Sequence, residues 1–247
     1  MISLRRLVAL MLLCTLCVVC AYTCAGGQSV PQDATDTVLA NNASDMTGAF
    51  EDEIFLWAVY YVLGKDEDEP LAASEVAAIE ELKVASNGIG SLKGLEYFSG
   101  LKLLDCSEND LQTLDTSFCP MLEKLDCTIN FLTSLDVTCN PKLMDLACAD
   151  NQLMTLDVSQ NSALINLYCF MNELATLDVT QNPALEDLRC SNNLLTTLDV
   201  SQNPVLARLY CHGNYLPSEA AIIGLDESLS DSYDKFSFDP QKDTIDE

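Results

Sequence analysis

Leucines recur every 21 residues through the middle of this chain, at Leu101, Leu122, Leu143, Leu164, Leu185 and Leu206. Each opens the pattern L-x-x-L-x-C-x-x-N-x-L-x-x-L-D-V-S-x-N-P-x, kept in six registers without an insertion. The second leucines are Leu104, Leu125, Leu146, Leu167, Leu188 and Leu209. The cysteines are Cys106, Cys127, Cys148, Cys169, Cys190 and Cys211, and the asparagines are Asn109, Asn130, Asn151, Asn172, Asn193 and Asn214. A period this short, with leucines at these offsets, is a leucine-rich repeat. It constrains the fold more tightly than any composition could. The apolar surface that one coil hides does not offset the entropy of ordering its backbone, so the coils must stack.

Alternation of Leu104 and Cys106 with Asp105 predicts a short strand with one inward face. The asparagine turns the chain out of that strand, its buried amide bonding the backbone of neighbouring coils. Leu111 and Leu114 return to the core. Stacked cysteines come near disulfide range by Cα separation, but their Cβ bonds run parallel and do not converge. They are therefore expected to be thiols acting as small hydrophobes, without the electropositive setting that activates a thiolate. Cys119 and Cys139 differ: they sit in the turn before the next strand of adjacent coils and are expected to form a disulfide. Aspartates Asp115, Asp136, Asp157, Asp178 and Asp199 also recur by 21. At this spacing like charges repel by about 0.8 kcal/mol in water. Capping the turn that follows gains about 1.5–3 kcal/mol per carboxylate, so turn capping is the preferred account and a calcium-binding stripe the alternative.

The ends are modified, as a stack requires. IEELKVASNGIGSL, from Ile79, is an imperfect first coil with Val84 in the cysteine column. Residues 79–216 are assigned to the repeats. Residues 217–238 are assigned to a C-terminal cap, with a helix expected over Ser218–Leu229 and a strand at 236–238; 239–247 form an acidic tail. Upstream, AFEDEIFLWAVYYV places Phe50, Ile54, Trp57, Ala58, Tyr61 and Val62 at helical spacing. That predicts a helix covering the open end of the stack, within a helical N-terminal cap over 49–78.

The first 25 residues read as a signal peptide: Arg5 and Arg6, then an apolar run too short to span a bilayer. Cleavage after Ala25 is one outcome; Cys24 as the lipid-bearing first residue of an anchored chain is the other. Residues 26–48 are read as a flexible linker. Without its first 25 residues the chain carries 10 Lys and Arg against 38 Asp and Glu, a net charge of −28. Such a surface excludes nucleic acid as a partner. No second apolar stretch has membrane length.

With L-x-x-L-x-C-x-x-N, LDVSxNP and the first-coil entry SLKGLEYFSGLKLL in view, residues 50–230 resemble the cysteine-ladder leucine-rich-repeat proteins of the bacterial surface, the internalin J type. The resemblance implies an α/β solenoid: a right-handed leucine-rich-repeat superhelix of about seven short parallel strands with a helical N-terminal cap. It also implies no enzyme activity, and binding or adhesion by the concave sheet. The chain departs from the long adhesins in having few coils and no wall anchor. GKDEDEPLAASE is similar to the EF-hand-like loop of that family's N-terminal cap. Aligned on Glu75 as position 12, Asp66 and Asp68 fall at ligand positions 3 and 5, which makes Ca2+ the one cofactor candidate. Gly64 at position 1 and Glu69 at the turn glycine depart from the calcium pattern.

Two variable columns supply the ligand candidates. One runs Asp105, Asp126, Ala147, Tyr168, Arg189, Tyr210; the other runs Ser107, Thr128, Ala149, Phe170, Ser191, His212. One end is acidic and small. The other gathers Tyr168, Phe170, Arg189, Tyr210 and His212, with Tyr215 at the rim, residue types enriched at binding hot spots. The expectation is an exported, non-catalytic module that binds a protein or glycan there. The alternative is a lipid-anchored structural component of the envelope. The chain has no H-E-x-x-H, P-loop or G-x-S-x-G, and its one histidine points away from Cys211, so an enzyme is not expected.

Overall fold

A computed structural model describes residues 45–226, 229, 235–239 and 241–242. The segment read as a signal peptide, Cys24, residues 26–44 and residues 243–247 lie outside the described residues. Short strands build the sheet: β1 (Glu81–Lys83), β2 (Leu103–Asp105), β3 (Lys124–Asp126), β4 (Asp145–Ala147), β5 (Asn166–Tyr168), β6 (Asp187–Arg189), β7 (Leu198–Asp199), β8 (Arg208–Tyr210), β9 (Ile222–Ile223) and β10 (Phe236–Ser237). Eight of them form one parallel sheet in the order β1-β2-β3-β4-β5-β6-β8-β10. From β2 to β8 each residue pairs with the one 21 positions on, so Leu104 meets Leu125, Leu146, Leu167, Leu188 and Leu209 in turn. The solenoid therefore has seven coil strands, closed by β10 from the C-terminal cap.

The core is the set of inward columns. The second leucines are at most 2% exposed, and the six repeat cysteines are buried and keep their thiols. Each asparagine of the turn spans two coils. Asn151 donates through Nδ2 to Cys127 O (3.0 Å), Cys148 O (3.2 Å) and Ala149 O (3.1 Å), and accepts at Oδ1 from Leu132 N (3.0 Å). These bonds satisfy backbone groups that the turn removes from the ladder. The residue before each asparagine is left-handed: Glu108, Ile129, Asp150, Met171 and Asn192 have φ of 51–56°, and Gly213 has 67°. No residue type marks that column, so its conformation was not readable from sequence.

The aspartate column caps its turns. Asp157 and Asp199 each accept at 2.9 Å from the N–H two residues on, and Asp178 accepts from both Thr180 N (2.9 Å) and Thr180 Oγ1 (2.7 Å). Backbone and hydroxyl donors from Ser159 hold Asp157 below the usual carboxylate range. The Thr180 hydroxyl and N–H do the same for Asp178.

The expected Cys119–Cys139 disulfide does not form. Cys119 occupies the column of Asn140, Asn161 and Asn182; it is fully buried, with its Sγ 4.0 Å from Leu95 O. Cys139 lies in the half-buried neighbouring column and is disulfide-bonded.

Both caps differ from expectation in detail. Helix α1 (Glu53–Leu63) starts at Asp52, whose Oδ1 accepts from Ile54 N and Phe55 N, and ends at Gly64 in the left-handed region. A second helix, α2, covers Ala73–Ala77. Both helices belong to the N-terminal cap. The face of α1 that packs is Phe55, Ala58, Val59 and Tyr60, not the Ile54–Trp57–Tyr61–Val62 stripe, which is 41–75% exposed. EIFLWAVYYVL is apolar on nearly every side, so periodicity does not select a face. Rotation is set instead by Asp52, which also accepts from Gly90 N (2.9 Å), and by Phe55 stacked on Phe98 at 5.9 Å.

At the other end, Ser218–Leu229 is not a helix over its first half. A 3-10 turn at Glu219–Ala221 leads into β9, which pairs with β7 and continues the aspartate column for one more coil. Gly224 allows this: a Cβ there would lie 2.4 Å from Ser201 Cα, at φ +77°. The cap also reaches past 238. The Gln241 side chain donates to Cys211 O (3.2 Å) and Phe238 O and accepts from Asn214 N (3.0 Å), closing the asparagine ladder with the same amide chemistry.

Candidate functional site

The outward column of the sheet places Asp105, Asp126, Ala147, Tyr168, Arg189 and Tyr210 side by side on successive strands. Its two ends differ. At the first, Asp105 and Asp126 cap their own turns, accepting from Ser107 and Thr128 N–H at 3.2 and 3.0 Å. The small Ala147 leaves a cavity of about 390 Å³, walled by Asp105, Asp126 and Tyr168.

At the second end the side chains lock together. Arg189 lies between two rings, its guanidinium carbon 4.6 Å from the Tyr168 centroid and 5.2 Å from that of Tyr210. Its Nε and Nη2 donate to the two oxygens of Asp187 at 3.1 and 3.0 Å. Asp187 is 1% exposed, and its Oδ2 also accepts from Arg208 Nη1 at 3.4 Å and Tyr168 Oη at 3.5 Å. Burying a carboxylate is costly unless it is paired and hydrogen-bonded. Here four donors meet that need, and the result is an arginine fixed in orientation. Asp187 holds the Arg189 guanidinium more firmly in its protonated form, and burial raises the Tyr168 hydroxyl above the usual tyrosine range. Asp187 was not among the expected site residues. Its signal was an acid on the same column as Arg208, two residues before Arg189.

The remaining expected residues divide. Phe170 stands beside Ser191 and His212 on the second column. His212 Nδ1 shares hydrogen bonds with Ser191 Oγ (3.1 Å) and Ser237 Oγ (3.0 Å), tying β10 to the sheet. Ser191 is 4% exposed. Tyr215 is covered by the C-terminal cap: Lys242 Nζ lies 5.3 Å from its ring and donates to Asn193 O. One further exposed group escaped the sequence reading. Ile129, Phe131, Met154 and Met171, in the turns that follow the strands, are each 46–65% exposed.

The calcium candidates do not come together. Glu75 is taken by Lys65 Nζ, at 2.9 and 2.7 Å from its two oxygens, and by Ala72 N at 2.9 Å. The Lys65 ammonium, with the Ala72 N–H, holds the Glu75 carboxyl below its ordinary range. Among the described residues no three acidic, histidine or cysteine side chains are grouped to hold a metal ion, so Asp66, Asp68 and Glu75 do not fit Ca2+. The ammonium already supplies a positive charge to Glu75.

The repeat thiols are not chemically poised. Burial pushes all six up, Cys211 to about 12. No described helix is long and apolar enough to cross a membrane.

No protein-family model and no curated protein matches the chain. Solved structures do. The functional domain of InlJ from Listeria monocytogenes, which includes a cysteine ladder, is 34% identical over 69% of this chain, with a TM-score of 0.59. The chain spans 43% of that structure's length. A leucine-rich-repeat protein of Leptospira interrogans is 26% identical over 57% of this chain and 39% of its own, with a TM-score of 0.54. Internalin C2 of Listeria monocytogenes shares the fold at 18% identity, covering 75% of this chain and 91% of its own, with a TM-score of 0.54. The chain is a leucine-rich-repeat solenoid with a column of buried thiols, similar to the cysteine-ladder domain of InlJ.

Proposed function

We propose that this chain is an exported, non-catalytic binding module that takes a protein partner on the sheet face around Tyr168, Arg189 and Tyr210. The leucine-rich-repeat fold supports a protein-interaction role. The observation that carries the location is the arginine clamped between two tyrosines and oriented by a buried aspartate. Large amphipathic side chains that have already lost their rotamer freedom bind at low entropic cost. Nothing in the repeat itself needs that assembly, since coils with Asp126 or Ala147 in the same column keep the same strand register. A glycan is the second ligand class, and adhesion is the physiological outcome of either.

The test is capture from arrays of surface proteins and glycans by the wild-type chain and by a variant with Tyr168, Arg189 and Tyr210 all changed to Ala. Loss of capture with an unchanged circular dichroism spectrum supports the reading; retained capture removes the site from consideration. Export is read from the mature N-terminus by mass spectrometry. A first residue at 26 supports secretion, whereas a lipid on Cys24 would make the chain an anchored envelope component.

A further inference from the structure

We infer that the Arg189 site takes a carboxylate from an acidic segment of the protein partner, an inference that rests on the binding reading above and names its ligand. Charge comes first. Five lysines, all before residue 125, each meet a carboxylate at 2.5–3.0 Å. Arg189 and Arg208 instead share one carboxylate, Asp187. Among the described ion pairs, this is the place where two cations meet a single carboxylate, in a chain whose formal charge is −26. Arg189 and Arg208 side chains remain 42% and 54% exposed.

Geometry then specifies the group. A guanidinium offers two forks, one from Nε and Nη2 and one from Nη1 and Nη2. Asp187 fills the first. The second is the end-on fork, which matches the two oxygens of a carboxylate. The stacked tyrosines close both faces of the guanidinium, so a ligand approaches only along its edge. A carboxylate on the slender stem of Asp or Glu fits between the two rings. A uronic acid carries its carboxylate directly on a sugar ring, which would meet the tyrosines first. Acidic segments are repelled elsewhere on this surface, which confines the contact to one spot and fixes the partner's register.

The probes are the peptide acetyl-Gly-Phe-Glu-Phe-Gly-amide, its Gln counterpart, and galacturonate beside galactose, each titrated into the full chain while the Arg189 Nε–Hε resonance is followed. The Glu peptide is expected to shift that resonance and to bind at least about tenfold more tightly than the Gln peptide. Arg189→Gln abolishes the difference. Because that variant strands a buried aspartate, Arg208→Gln serves as the second: it keeps the Asp187–Arg189 pair and weakens the Glu peptide by about threefold. Equal binding of the two peptides, or an unmoved Arg189 resonance, overturns the inference. Preference for galacturonate over the Glu peptide overturns the protein source of the acid. Array capture that depends on Tyr168, Arg189 and Tyr210 while the Glu peptide fails leaves the binding reading intact and removes this one alone.

Discussion

Two asparagine columns run along the solenoid, one through six coils and the other through four, and they are not equally satisfied. In the column from Asn109 to Asn214 each amide is used on both sides; Asn151 makes four hydrogen bonds, three to carbonyls and one from the Leu132 N–H. In the column from Asn140 to Asn203 the amide nitrogens are used but the oxygens are not. Asn182 donates to Val158 O and Asn161 O at 2.9 Å, while the Oδ1 atoms of Asn161, Asn182 and Asn203 have no partner among the described residues. The exception is Asn140, whose Oδ1 accepts from Thr116 Oγ1 at 2.8 Å. Thr116 stands where the later coils have Val137, Val158 and Val179. The first column bears the stack; the second carries a fault that one hydroxyl repairs.

The largest expected effect comes from breaking the first column. Asn151→Ala removes four bonds and leaves the Leu132 N–H buried without its acceptor, costing about 4 kcal/mol. Asn182→Ala removes two bonds to carbonyls that keep other donors, and costs about 2 kcal/mol. Urea unfolding followed by circular dichroism measures both, and equal losses would erase the distinction between the columns. A smaller effect, of opposite sign, sharpens it. Val158→Thr supplies the Asn182 Oδ1 with a donor at the geometry Thr116 already uses, and raises stability by about 1 kcal/mol. A hydroxyl placed in the core without a partner would lower it instead.

Inward columns were legible because their spacing repeats: leucines, cysteines, asparagines and capping aspartates all lie where the 21-residue period puts them. Features without a repeat were not. The packed face of α1 depends on Asp52 reaching Gly90 and on Phe55 meeting Phe98, contacts more than 30 residues apart in sequence. Glu75 reads as a calcium ligand by position, yet Lys65, ten residues earlier, claims it. Gln241 closes the asparagine ladder from a stretch that reads as acidic tail. In the candidate site, Tyr168, Arg189 and Tyr210 could be named from one column. Asp187 could not, because its role depends on burial and on two arginines converging from different strands.

All of this rests on coils stacked so closely that the repeat cysteines never meet solvent. Native and urea-unfolded protein, each treated with iodoacetamide and mapped by peptide mass spectrometry, test it most directly. The account predicts that Cys106, Cys127, Cys148, Cys169, Cys190 and Cys211 stay unmodified in the folded chain and are all labelled once it is unfolded. Prompt labelling of those six in the native protein would contradict it.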